Sequence, residues 1–115
     1  MLVSSHAATA ADQQTEAERE IQYLITFVAD SGASFVRNGT AHDAKEAAGH
    51  LAMKYRNASR YAKTADDFID NLASKSSITR RLYTVTTADG RELTASEWLH
   101  SALDEYRQSV SASSP

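Results

Sequence analysis

The sequence predicts an α+β domain, with four helices packed on one face of a small antiparallel sheet made of a short strand plus a hairpin. Three observations predict it. Four segments carry apolar residues at helical spacing behind a capping residue. The stretch LYTVTTADGREL surrounds Asp89-Gly90 with β-branched and aromatic residues, the pattern of a hairpin. Each helical segment has a single apolar stripe to bury, which one shared sheet layer satisfies.

Thr15 with Glu18 forms a capping box, and Ile21, Leu24, Ile25 and Val28 then recur with helical period. Gly32 closes that helix, because glycine takes the left-handed conformation that satisfies its last carbonyls. Phe35-Val36-Arg37 reads as a short strand entering a tight turn at Asn38-Gly39. Asp43 and Glu46 open a second helix to about Arg56, with Ala44, Ala47, Ala48, Leu51 and Tyr55 on one face. Thr64 caps a third, whose buried stripe is Ala65, Phe68, Ile69 and Leu72, with Asp66 and Asp67 facing its positive end. In the hairpin, a three-residue loop Ala88-Asp89-Gly90 pairs Val85 with Leu93 and places both on one face, whereas a two-residue loop would separate them. Thr94 and Glu97 cap the last helix, along which Trp98, Leu99, Ala102, Leu103 and Tyr106 share a side.

These signals place a single α+β domain at residues 15–109, the size of one self-sufficient core for a chain of 115 residues. Residues 1–14 read as a disordered N-terminal segment and 110–115 as a disordered tail, both rich in small and polar residues without apolar period. The AATA before Ala11 has the small-residue form of a signal-peptidase site, without the basic and apolar regions that should precede it. Two readings stay open there: a signal-peptide remnant, or coincidence.

Composition excludes several functions. A net charge of −3 argues against nucleic acid as a partner, because such binding draws its affinity from basic residues neutralising phosphates. No apolar run approaches the ~20 residues of a membrane span. The absence of cysteine removes disulfide frameworks and thiolate chemistry. Neither a Gly-x-Ser-x-Gly elbow nor a glycine-rich phosphate loop occurs, and no cofactor is expected. His42 and His50 do not match the i, i+4 spacing of helical metal ligands, so no metal is expected either.

The ground for chemistry is a short set of candidate binding residues: Arg37, Asn38, His42, His50, Lys54, Arg80 and Arg81. Glu46, His50 and Lys54 form an i, i+4, i+8 row in which a carboxylate can orient an imidazole, against the favoured reading of a solvent-facing charge ladder. Arg37 shares a strand face with Phe35 and must emerge at an edge or meet a carboxylate, for which Asp70 is the expected partner. Lys75, Arg80 and Arg81 suit an anion or an acidic partner, with a solvated basic loop as the plainer reading. No catalytic residue is assigned.

Several short stretches, in order, resemble the YfeK-like family of small exported bacterial proteins of unknown function. They are FVRNG at Phe35 to Gly39, His42, His50-Leu51 with Lys54, TADDFID at Thr64 to Asp70, ASKSSIT at Ala73 to Thr79, and Tyr83. Before that tyrosine the family often has glycine, a basic residue and proline, where this chain has Arg80, Arg81 and Leu82. The resemblance implies export to the periplasm and carries over no catalytic or binding residue. The expected function is a non-catalytic binding or interaction module, with an unknown protein or small-molecule partner in the cell envelope. The alternative is a small acid–base enzyme or hydrolase using His42 or His50 with a carboxylate.

Overall fold

The computed structural model describes residues 15–113, so the segment 1–14 with its cleavage-like AATA, and residues 114–115, lie outside the described residues. Helix α1 (Glu16–Asp30) starts at the expected capping box: the Glu18 amide donates to Thr15 Oγ1 at 3.1 Å and the Thr15 amide to Glu18 Oε1 at 3.0 Å. Two orphan amides are thereby satisfied reciprocally. Ile21, Leu24 and Val28 are buried, and Gly32 turns the chain out of the helix at φ +68°.

Strand β1 (Ser34–Arg37) pairs with β2 (Thr40–His42) across Asn38-Gly39, with Arg37 opposite Thr40. Both turn residues have positive φ, +50° and +81°, the conformation of the two-residue hairpin turn whose twist matches that of the strands. The expected tight turn therefore makes a second hairpin. β2 adds a strand that the sequence did not signal, since three residues with one β-branched member carry no measurable alternation.

Helix α2 (Ala44–Ala58) begins where Asp43 Oδ1 accepts from the Glu46 amide at 2.8 Å. It passes through a short 3-10 turn, Ser59–Tyr61, toward helix α3 (Ala65–Asp67), capped by Thr64 Oγ1 on the Asp67 amide at 3.0 Å. From Phe68 to Ala73 this helix widens into π geometry, yet the expected stripe of Ala65, Phe68, Ile69 and Leu72 is buried. Strands β3 (Thr84–Thr86) and β4 (Glu92–Thr94) place Val85 opposite Leu93, with Gly90 at φ +91°, as the three-residue loop requires. Helix α4 (Ala95–Ser113) runs past Ser109, where the sequence placed the end of the domain.

All strand pairs are antiparallel, in the order β2-β1-β3-β4. Phe35 and Val85 point from the sheet into a core completed by Ile21, Leu24, Leu51, Phe68, Leu99 and Leu103. The α+β class follows directly, four helices with one antiparallel sheet. Trp98 fixes the junction of α1, α4 and β1, its ring 4.8 Å from Phe27 and 5.7 Å from Phe35. Such offset and edge contacts suit the aromatic quadrupole and add to area burial.

Candidate functional site

Tyr83, buried just before β3, is the centre of the one place where the candidate residues converge. Its backbone is held from both sides: its amide donates to Ser74 O at 2.8 Å, and its carbonyl accepts from the Ala95 amide at 3.0 Å. Alternation along β1 sends Arg37 to the helix-covered side, where its guanidinium carbon lies 5.9 Å from the Tyr83 ring centroid. From α2, Lys54 Nζ lies 5.4 Å from the same centroid and donates to Tyr83 Oη at 3.4 Å. Its shortest bond, 2.6 Å, goes to Leu72 O at the end of the π segment, and a longer one, 3.3 Å, to Lys75 O. An ammonium at the carbonyl end of a helix is favoured by the helix dipole as well as by the bonds themselves.

His50 sits one turn earlier on α2. Burial first, then the charges of Arg37, Lys54 and His42, lower its pKa to about 4, so the ring is neutral at neutral pH. Burial and the Arg37 charge likewise lower Lys54 to about 8, with the carbonyl bonds opposing that shift. Burial raises Tyr83, against the Arg37 charge. None of the ion pairs among the described residues includes Arg37, His50 or Lys54. The cluster is thus basic and lacks a carboxylate of its own.

The other expectations are redistributed. Glu46 faces His42, with Oε1 3.3 Å from Nδ1, and leaves His50 to the cations. Both histidines are i±4 neighbours of Glu46, and the half-buried position of His50 beside Arg37 decides between them. The row is not a solvent-facing ladder either, because Lys54 folds back onto the Leu72 carbonyl. Asp70 is not the partner of Arg37: it lies on the exposed side of the π segment, 2.9 Å from His100 Nε2, while Arg37 lies over Tyr83. Asn38 serves the scaffold, its Oδ1 accepting from Thr79 Oγ1 at 2.7 Å and tying the β1–β2 turn to the loop before Tyr83. Arg80 and Arg81 stand exposed on that loop, outside the Tyr83 cluster. Arg80 has φ +65°, at the position where the resembled family often has glycine.

The sequence missed a second polar network. Glu20, only 5% exposed, accepts from Arg107 Nε at 2.8 Å and Nη2 at 2.9 Å, a bidentate pair that raises the arginine further. Arg107 also reaches Asp66 at 3.3 Å, and His100 lies between Asp66 (Nδ1, 3.4 Å) and Asp70 (Nε2, 2.9 Å). The available signal was a glutamate set directly beside Ile21 and four residues before Leu24, at the margin of a buried stripe. The carboxylates approach His100 at opposite ring nitrogens, so they do not share a point with it. Among the described residues no group of three His, Cys, Asp or Glu side chains is arranged to hold a metal ion.

Residues 15–107, from the first cap to Arg107, match the family described as DUF5329, a family of unknown function. The chain belongs to this DUF5329 family. An uncharacterized protein YfeK of Salmonella typhimurium is 50% identical over 50 residues, 44% of this chain and 42% of that protein. The match therefore spans less than half the length of this relative. No solved structure matches. Among the described residues of this DUF5329 member, no helix is long and apolar enough to cross a membrane.

Proposed function

We propose that this protein is a periplasmic, non-catalytic binding module that takes a small carboxylate or phosphate group at Arg37, His50, Lys54 and Tyr83. One observation carries the reading: two cations, Arg37 and Lys54, lie against one phenol, with the half-buried His50 one turn before Lys54, and none of them has an acidic partner among the described residues. Gathering like charges is unfavourable, and an anion reverses the sign of that interaction. Arginine suits the role through its planar fork of donors, lysine as a point charge, and a neutral imidazole as a donor that adds no repulsion. The periplasmic part of the reading is supported by the resemblance to exported proteins and by the cleavage-like AATA.

The enzyme alternative retains one supporting observation, the His42–Glu46 pair, a histidine oriented by a carboxylate. Glu46 is 64% exposed in its side chain, which leaves that pair in water, where charge stabilisation is weak.

NMR titration of the His50 ring tests the binding reading, with acetate and inorganic phosphate as probes. A bound anion favours the imidazolium, so the His50 pKa should rise from about 4, with shift changes centred on Arg37, Lys54 and Tyr83. An unchanged His50 titration with saturating probe refutes the site. Recovery of the protein in the cytoplasmic rather than the osmotic-shock fraction of its native cells refutes the location.

A further inference from the structure

We infer that the 75–82 loop docks this protein onto a surface of anionic, phosphate-bearing lipids. Large aliphatic residues elsewhere among the described residues are mostly buried; Ile21, Ile69, Leu99 and Leu103 have no solvent exposure at all. Ile78 is 90% exposed and Leu82 61% exposed, both on this one loop. A single exposed aliphatic residue is ordinary and needs no explanation. Two on one short loop, interleaved with Lys75, Arg80 and Arg81 and with no acidic residue between them, form a basic and apolar tip on a chain of net charge −3.

The loop is also built to present them. Lys75 and Leu82 pair as an antiparallel bridge that closes its base. Ser76, itself buried, accepts on Oγ from the amides of Ile78 and Thr79, both at 3.2 Å. Its backbone bonds both arginines, donating to Arg81 O and accepting from the Arg80 amide, each at 3.0 Å. Thr79 is tied to Asn38 on the neighbouring turn, and Lys54 holds the Lys75 carbonyl. A loop so bonded cannot fold its aliphatic side chains back into the core, so their exposure persists in water.

The chemistry selects the partner. Aliphatic side chains flanked by Lys and Arg are the pattern of interfacial binding, in which apolar groups enter the acyl boundary and cations meet phosphates. An acidic protein would satisfy the cations equally, yet a protruding isoleucine needs a matched apolar pocket there, whereas a lipid surface accepts any convex apolar tip. This inference does not depend on the Tyr83 cluster, and every variant used to test it leaves Arg37, His50 and Lys54 in place.

The experiment is flotation of the full chain with phosphatidylcholine vesicles, with and without phosphatidylglycerol. Binding should require the anionic lipid and weaken as salt rises, since surface charge is screened within about a Debye length. Each basic residue at such a surface is worth roughly fivefold in partition, so Arg80→Gln with Arg81→Gln should lower it on the order of 25-fold. Ile78→Ser should lower it about tenfold without altering the circular dichroism spectrum, because the side chain is exposed. Failure to float with anionic vesicles overturns the inference, and binding to polyglutamate in their place assigns the loop to an acidic protein. Equal flotation of Ile78→Ser and the unaltered protein also overturns it, by leaving the aliphatic tip without a role.

Discussion

Lys54→Met keeps an apolar stem of similar length and removes the group that ties α2 to the end of the π segment, to the 75–82 loop and to Tyr83. The 2.6 Å bond to Leu72 O dominates. A hydrogen bond from a charged donor contributes about 1.5–3 kcal/mol, and the longer contacts add less. Desolvation of the ammonium and the Arg37 charge act in the opposite direction, so the variant should lose about 1–2 kcal/mol at neutral pH. The pH dependence is more diagnostic. Lys54 falls from 10.5 in the unfolded chain to about 8 in the folded one, so between those values the unfolded state binds more protons. Stability conferred by Lys54 must therefore rise with pH across that window, as the amine becomes neutral and still donates to Leu72 O. Below about 8 both states carry the proton and the difference is flat. At full value the shift corresponds to roughly 3 kcal/mol, which solvent access to a half-buried side chain reduces to about 1–2 kcal/mol. Urea melts of both proteins between about pH 7 and about pH 10 read the difference directly, since the His50 titration that Lys54 also shifts lies well below that window. Equal stability at neutral pH would refute the tie, and a flat difference up to pH 10 would refute the lowered pKa.

Arg107→Met should cost about 3 kcal/mol, because Glu20 is left buried without its bidentate partner. A double-mutant cycle with Glu20→Gln should give a coupling of about 2–3 kcal/mol, and additive losses would show that the pair is incidental. Two substitutions should move stability in opposite directions by the same backbone rule. Gly39→Ala, at φ +81°, should lose about 1–2 kcal/mol, whereas Arg80→Gly, at φ +65°, should gain about 0.5 kcal/mol by releasing a side chain from the left-handed region. Thermal melts that shift both variants the same way would contradict the assigned turn conformations.

The features legible in the chain alone are those whose causes lie within a few residues. The Thr15, Asp43, Thr64 and Thr94 caps each bond an amide three residues ahead, and the buried stripes follow from the helical period. Even the register of Val85 with Leu93 was legible, because loop length and the period of two leave one arrangement with both side chains inward. Strand β2 was not, since Thr40–His42 has no strong strand preference of its own and is extended because β1 supplies its hydrogen bonds. The basic cluster was half legible: Arg37, His50 and Lys54 stood out singly, but Tyr83 as their meeting point, and Asp70 turned toward His100, depended on how β1, α2 and α3 dock. The Glu20–Arg107 pair, 87 residues apart, is the extreme case. Charge attraction makes any acid a possible partner for any base, and only the packing of apolar stripes brings one chosen pair within bonding distance.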